Sequence, residues 1–138
     1  MTLSYTGIRV RDLARSIRFY QDGFGLTERG RGTMTHGGRF VELEDPSSHQ
    51  RIELNWYPPG SPYATRYTVG EGLDHLGFVV DDADATVARL LPLGASIALP
   101  VWTERGRSRI GFVRDPDGIW LEIESRIRRS PARVGSRG

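Results

Sequence analysis

Glu53, His75 and Glu122 are the residues of this 138-residue chain whose types and spacing could do chemistry together. One imidazole and two carboxylates suit Zn, Ni, Mn, Co or Fe(II). Three protein ligands leave coordination positions for water or substrate, which catalysis requires. Taken singly, each glutamate reads as a solvent-facing residue of a one-sided sheet. The spacing argues for more. Tyr5-Thr-Gly-Ile-Arg-Val-Arg-Asp12 aligns with His75-Leu-Gly-Phe-Val-Val-Asp-Asp82, and Arg51-Ile-Glu-Leu-Asn55 with Trp120-Leu-Glu-Ile-Glu124. Tyr5 precedes Glu53 by 48 residues and His75 precedes Glu122 by 47. Two copies of one unit related by an approximate two-fold axis would bring matched positions to a shared centre, with Tyr5 at the fourth position.

The elements that must position them repeat as well. Residues 4–10 alternate as a strand. Asp12 caps a helix to about Phe24, whose apolar stripe is Leu13, Ile17, Phe19 and Tyr20, and Gly25 stops it. Residues 26–38 read as a short strand with a mobile loop. Residues 39–57 form a hairpin around the turn Asp45–Gln50. Residues 58–72, rich in Pro and Gly, are the linker. Asp74–Val80 is then a strand, and Asp81 or Asp82 caps a helix through Leu91 and Leu93 that Gly94 closes. Ser96–Trp102 is a strand, Thr103–Ser108 a polar arginine loop, and Arg109–Arg114 a strand. Asp115–Gly118 is a tight turn, and Ile119–Glu124 the last strand. The expected fold is α+β: two βαβββ modules in tandem, about 3–57 and 73–125, each a cupped, mainly antiparallel sheet with a helix packed behind it. Together they make one domain over 1–125, followed by a basic flexible tail at 126–138.

Composition excludes several function classes. The chain has no cysteine, which removes disulfides, thiolate metal sites and cysteine nucleophiles. All 19 basic residues are arginine, so Schiff-base and P-loop lysine chemistry are excluded. Net charge is +2, and five arginines fall in residues 126–138, leaving the body slightly acidic. Specific nucleic-acid binding, which needs positive charge on the folded surface, is therefore not expected. No apolar run is long enough to span a bilayer and no signal peptide is visible, so a cytoplasmic location is expected.

The pattern Arg9-Val-Arg-Asp-Leu-Ala-Arg-Ser-Ile-Arg-Phe-Tyr20, Gly25-Leu26, Ile52-Glu-Leu54, Asp74-His-Leu-Gly-Phe78, Phe112-Val-Arg-Asp-Pro-Asp-Gly118 and Leu121-Glu-Ile123 resembles glyoxalase I. More broadly it resembles the vicinal oxygen chelate superfamily, with its epimerases, extradiol dioxygenases, fosfomycin-resistance enzymes and bleomycin-binding proteins. The resemblance covers about residues 3–125. It implies a divalent metal held by Glu53, His75 and Glu122, with Glu122 or Glu53 doubling as the base that moves a proton between adjacent carbons of a hemithioacetal. It also implies a homodimer, because in similar proteins one site is often built from two chains. The first ligand position, histidine in glyoxalase I, is Tyr5 here. A phenol binds metal well only as phenolate, at a pKa near ~10, so Tyr5 reads as a hydrogen-bond donor to substrate. The run Glu53-Leu-Asn-Trp56 is two residues shorter than the Glu-Leu-x-x-Asn-Trp run of glutathione-specific glyoxalases.

The resemblance matches Arg9 to a substrate-carboxylate contact and puts Arg105, Arg107 and Arg109 in an anion-binding loop. Trp56, Tyr57, Tyr63 and Trp102 could line an apolar pocket or an interface; His36 and His49 fall in Gly- and Ser-rich loops, and His36 could swing in as a substitute ligand. The leading expectation is thus a metal-dependent lyase or isomerase acting on a small-molecule α-oxo substrate or its thiol adduct. The alternative is a non-catalytic module that sequesters a flat or cationic drug between Tyr5, Trp56 and Trp102. A dioxygenase ranks third, since relatives use two histidines and one glutamate for that chemistry.

Overall fold

The structure is a computed structural model that describes residues 5–35, 37–61, 64, 66–69, 73 and 75–127. The first module runs β1 (Thr6–Arg9), α1 (Leu13–Phe24), β2 (Thr27–Thr33), β3 (Arg39–Glu44) and β4 (Arg51–Trp56). The second runs β5 (Leu76–Val79), α2 (Ala83–Leu90) with a 3-10 turn at Leu91–Leu93, β6 (Ser96–Glu104), β7 (Ser108–Arg114) and β8 (Trp120–Arg126). Each makes a four-stranded sheet, ordered β1-β4-β3-β2 and β5-β8-β7-β6. The pairing is antiparallel except where the first strand lies parallel to the last, β1 on β4 and β5 on β8. The tandem βαβββ architecture expected from the sequence is the one observed.

The two helices start in the same way. Asp12 Oδ1 accepts from the Arg15 N–H at 2.9 Å, and Asp82 Oδ1 from the Ala85 N–H at 3.0 Å. Both helical segments end on a left-handed glycine, Gly25 at φ 70° and Gly94 at φ 106°. Phe19 and Tyr20 are buried against Ile8, Val10, Val41, Leu43 and Leu54, and Val87 and Leu90 against Val113, Leu121 and Ile123. The stacked rings of Phe24 and Phe78, 3.9 Å apart, join the two halves of this core.

Three boundaries differ from the sequence expectation. Within residues 26–38, expected as a short strand with a mobile loop, the strand takes seven residues, Thr27–Thr33. Their glycines serve cross-strand packing: a Cβ on Gly32 would stand 2.7 Å from the Phe40 ring on β3. Strands β6 and β7 extend into the expected arginine loop and leave a tight turn, in which Arg105 (φ 48°) and Gly106 (φ 64°) take positive φ. Strand β8 continues to Arg126, and the Ile127 N–H donates to the Arg107 carbonyl at 2.9 Å. Most of the expected tail, 128–138, lies outside the described residues. Among the described residues no helix is long and apolar enough to cross a membrane.

A buried polar latch fixes the modules to each other. Asp117, in the β7–β8 turn, is 1% exposed. Its Oδ1 accepts from the Arg11 backbone N–H (3.0 Å), Arg11 Nε (3.2 Å) and an Arg15 terminal guanidinium nitrogen (3.1 Å), and its Oδ2 from Ser16 Oγ (3.1 Å). Its neighbour Asp115 accepts from the buried Tyr20 hydroxyl at 2.9 Å and from the N–H groups of Asp117 and Ile119. Arg11, between β1 and α1, and residues of α1 in one module thus satisfy a turn of the other. Burial pushes the Asp115 carboxyl up from its ordinary value.

Burial, and then the Asp115 charge, hold the Tyr20 hydroxyl well above the usual phenol range. Burial also pushes Tyr67 up to about 12. Both folded values exceed the unfolded value of about 10. The stability these groups contribute is therefore complete below about pH 10 and is lost as pH rises through the folded values. Tyr20→Phe should lower the neutral-pH melting temperature, because Asp115 loses a buried hydrogen bond worth about 1–3 kcal/mol. It should also flatten the alkaline fall in melting temperature above about pH 10. A thermal-melt series across pH checks both, and a variant with an unaltered alkaline profile would contradict the assignment.

Candidate active site

Strand alternation sorts the residues of each sheet onto two faces. The helix-covered face holds Ile8, Val41 and Leu54 in the first sheet and Val113, Leu121 and Ile123 in the second, all buried. The opposite, open face carries the candidate site. Gly7 pairs with Glu53 across β1–β4, and Gly77 pairs with Glu122 across β5–β8. Tyr5 and His75 each stand two residues before those glycines, so the aligned quartet occupies equivalent positions on the two open faces.

In the second module the pair has closed up. His75 Nε2 lies 3.6 Å from Glu122 Oε2, with both side chains about one-third exposed (34% and 28%). The His75 ring sits edge-on to Phe112 at 5.5 Å. With metal bonds of about 2.0–2.2 Å, neighbouring ligand atoms on one ion stand roughly 3.0–3.5 Å apart. His75 and Glu122 therefore fit two positions of a common metal after a small closing movement. In the first module Tyr5 is 43% exposed. Its ring lies along the strand, 3.9 Å from where a Cβ on Gly7 would be. The Asn55 side chain donates to the Glu53 carbonyl at 3.2 Å. Glu42 stands directly across from Glu53. The Arg51 guanidinium, 3.9 Å from Glu42 Oε2, offsets the repulsion of these facing like charges.

Glu53 does not join His75 and Glu122 within one chain. Among the described residues no three His, Asp or Glu side chains gather to hold an ion. A cleft of about 410 Å³ between the edges β1 and β5 is lined by Thr6, Ile52, His75 and Gly77, and neither Glu53 nor Glu122 lines it.

The other expected site residues divide. Arg9 shares the open face with Asn55, and its guanidinium lies 5.7 Å from the Tyr67 ring. Trp56 is not on that face. It follows Leu54 onto the helix-covered side, where the Arg39 guanidinium stacks on it at 4.6 Å. Arg105 and Arg107 sit in the β6–β7 turn, beside Arg126 at the end of β8. That is four residues beyond Glu122, or about 13 Å along the strand, so they do not meet the His75–Glu122 pair. Arg105 is paired with Glu104 at 3.4 Å. Arg109 turns to the helix side and binds Asp84 through 2.8 and 3.0 Å contacts. His49 pairs with Glu44 at 3.4 Å. His36 and Tyr63 lie outside the described residues.

Phe112, Trp120 and Arg114 reach the open face, and motif reading gave them no role there. Alternation could have found them: residues 110, 112 and 114 on β7 face the same way as 120, 122 and 124 on β8.

Comparison with known proteins places this architecture. Residues 2–123 match the model of the Glyoxalase/Bleomycin resistance protein/Dioxygenase superfamily. The chain is 34% identical to a lactoylglutathione lyase of Haemophilus influenzae, over 94% of this chain and 97% of the relative. Its fold is similar to a glyoxalase family protein of Bacillus cereus (TM-score 0.75, 21% identity, 93% and 95% of the two chains covered). It is also similar to the trypanothione-dependent glyoxalase I of Leishmania major (TM-score 0.71, 26% identity, 91% and 86% covered). The duplicated βαβββ fold is therefore that of a known lineage, and the chain belongs to the Glyoxalase/Bleomycin resistance protein/Dioxygenase superfamily.

Proposed function

We propose that this protein is a metal-dependent lyase or isomerase of the glyoxalase type, acting on a small α-oxo compound or its thiol adduct. The observation that carries the reading is the His75–Glu122 approach of 3.6 Å on an open sheet face. Glu53 and Tyr5 hold the equivalent register on the other sheet. The similarity to lactoylglutathione lyases over nearly the whole chain supports the same reaction class.

The site is completed by a second copy. His75 and Glu122 of one protomer face Glu53 and Tyr5 of its partner, and a two-fold axis makes two such sites. A divalent metal held by the imidazole and the two carboxylates would polarise the substrate's adjacent oxygens and lower the pKa of the C–H bond to be broken. Glu53 or Glu122 then takes that proton and returns it to the neighbouring carbon, which isomerises the substrate without net redox change. The Tyr5 phenol donates a hydrogen bond to a substrate oxygen. The open sheet faces exclude water from the substrate once the two copies close over it.

Purified protein should bind a divalent metal, and His75→Ala should weaken that binding by more than about tenfold and abolish turnover of α-oxo thiol adducts. Calorimetric metal titration beside an adduct assay checks this. A His75→Ala protein that keeps both metal and turnover would exclude the proposal. Sharing of the site between copies has its own test. Glu53→Gln and His75→Ala should each be inactive alone, yet a co-refolded equimolar mixture should recover about one quarter of wild-type activity, since each mixed dimer keeps one intact site. A mixture as inactive as its components would place all the ligands in one chain.

A further inference from the structure

The open face of the second sheet carries an aromatic floor beside the proposed centre. Phe112 pairs with Glu122 across β7–β8, and Arg114 pairs with Trp120. The Phe112 ring stands 5.5 Å edge-on to His75, 5.9 Å from Trp120, and 6.2 Å from Trp102, to which it is nearly parallel at 18°. The Trp102 indole is held by a 2.8 Å hydrogen bond from Nε1 to Glu104. At the other end the Arg114 guanidinium lies 5.1 Å from the Trp120 ring.

The sheet itself does not require these rings. The first module folds the same way with Glu42 where the second has Phe112, opposite the ligand-type glutamate. It has Arg51 where the second has Trp120, two residues before that glutamate. A contiguous, partly exposed apolar patch rimmed by charge marks a binding surface. Flat rings with one cation at the edge complement a flat aromatic anion. The row through Trp120 runs from His75 on β5, across β8, to Arg114 on β7. Two strand spacings make that about 10 Å, roughly the span of a benzene ring with a substituent at each end.

We infer that the substrate of this site is an aromatic α-oxo compound with an anionic substituent, its vicinal oxygens toward the metal that His75 and Glu122 would hold, its ring over Phe112 and Trp120, and its anion at Arg114. This assignment rests on the glyoxalase-type reading for the oxygens alone. The ring and anion contacts stand on the sheet face itself.

Equilibrium binding separates the two. Lactate, mandelate and 4-carboxymandelate share the vicinal-oxygen head and differ only in what lies over the floor. Titrated by tryptophan fluorescence into full-length, metal-loaded protein, affinity should rise in that order by about tenfold overall. Phe112→Leu should bring the mandelate-to-lactate ratio close to one, and Phe112→Tyr, which keeps the ring, should retain it. Arg114→Gln should remove the advantage of the second carboxylate. Equal binding of all three acids by a protein that still turns over a methylglyoxal thiol adduct would overturn the inference and leave the reaction class standing. An aromatic preference lost in Phe112→Leu, in a protein with no turnover of any α-oxo adduct, would support the aromatic site and overturn the reaction class. A Phe112→Tyr protein that loses the preference while keeping the wild-type melting temperature would also contradict a role for the ring.

Discussion

Parallel pairing of each module's first strand with its last is the constraint on which the site depends. It sets Gly7 against Glu53 and Gly77 against Glu122. Because side chains alternate along a strand, a slip of one residue would send both glutamates under the helices and bring their apolar neighbours to the open face. Ile52 and Leu54, and Leu121 and Ile123, hold the register by packing toward α1 and α2. Burying an unpaired carboxylate in their place would cost several kcal/mol. Core packing and ligand placement are thus one requirement, imposed twice along the chain.

The two halves are alike in backbone and unlike in polarity. The first open face carries Glu42, Glu53 and Arg51, and the second carries His75, Glu122 and a row of rings. The latch at Asp117 has the same one-sidedness. The matching turn of the first module, Asp45-Pro46-Ser47, is satisfied internally, Asp45 accepting from the Ser47 N–H and the Ser48 hydroxyl. A chain built from identical halves would form two equivalent half-sites. This one has one open face rich in acid and one that combines an imidazole with an aromatic wall, and the proposed function gives the two distinct duties toward a bound molecule.

Much of this was legible in the sequence because it rests on short-range rules. The caps at Asp12 and Asp82, the glycine stops, and the alternation around Glu53 and Glu122 are local, and the repeat supplied their long-range pairing. The misplacements share a physical origin. Where the strand within residues 26–38 ends was not legible from its glycines, since the requirement for Gly32 comes from Phe40 on the adjacent strand. Trp56 was placed in the pocket by residue type, although its position one residue past Asn55 fixes it on the other face. The Asp117 latch left no local trace, since its partners are more than 100 residues away in the chain. Strand spacing alone likewise did not say how Glu53 would reach the other two ligand-type residues; the family resemblance is what implied a site shared between two chains, as the proposed function has it.

Diffraction at the absorption edge of a bound metal, from crystals grown with Zn or Ni, tests the account most directly. The account predicts one anomalous peak per protomer, within about 2.2 Å of His75 Nε2 and Glu122 of one copy and of Glu53 from its partner, with Tyr5 beside the remaining open position. A metal bound elsewhere, or Glu53 pointing to solvent while the other two hold the ion, would contradict it.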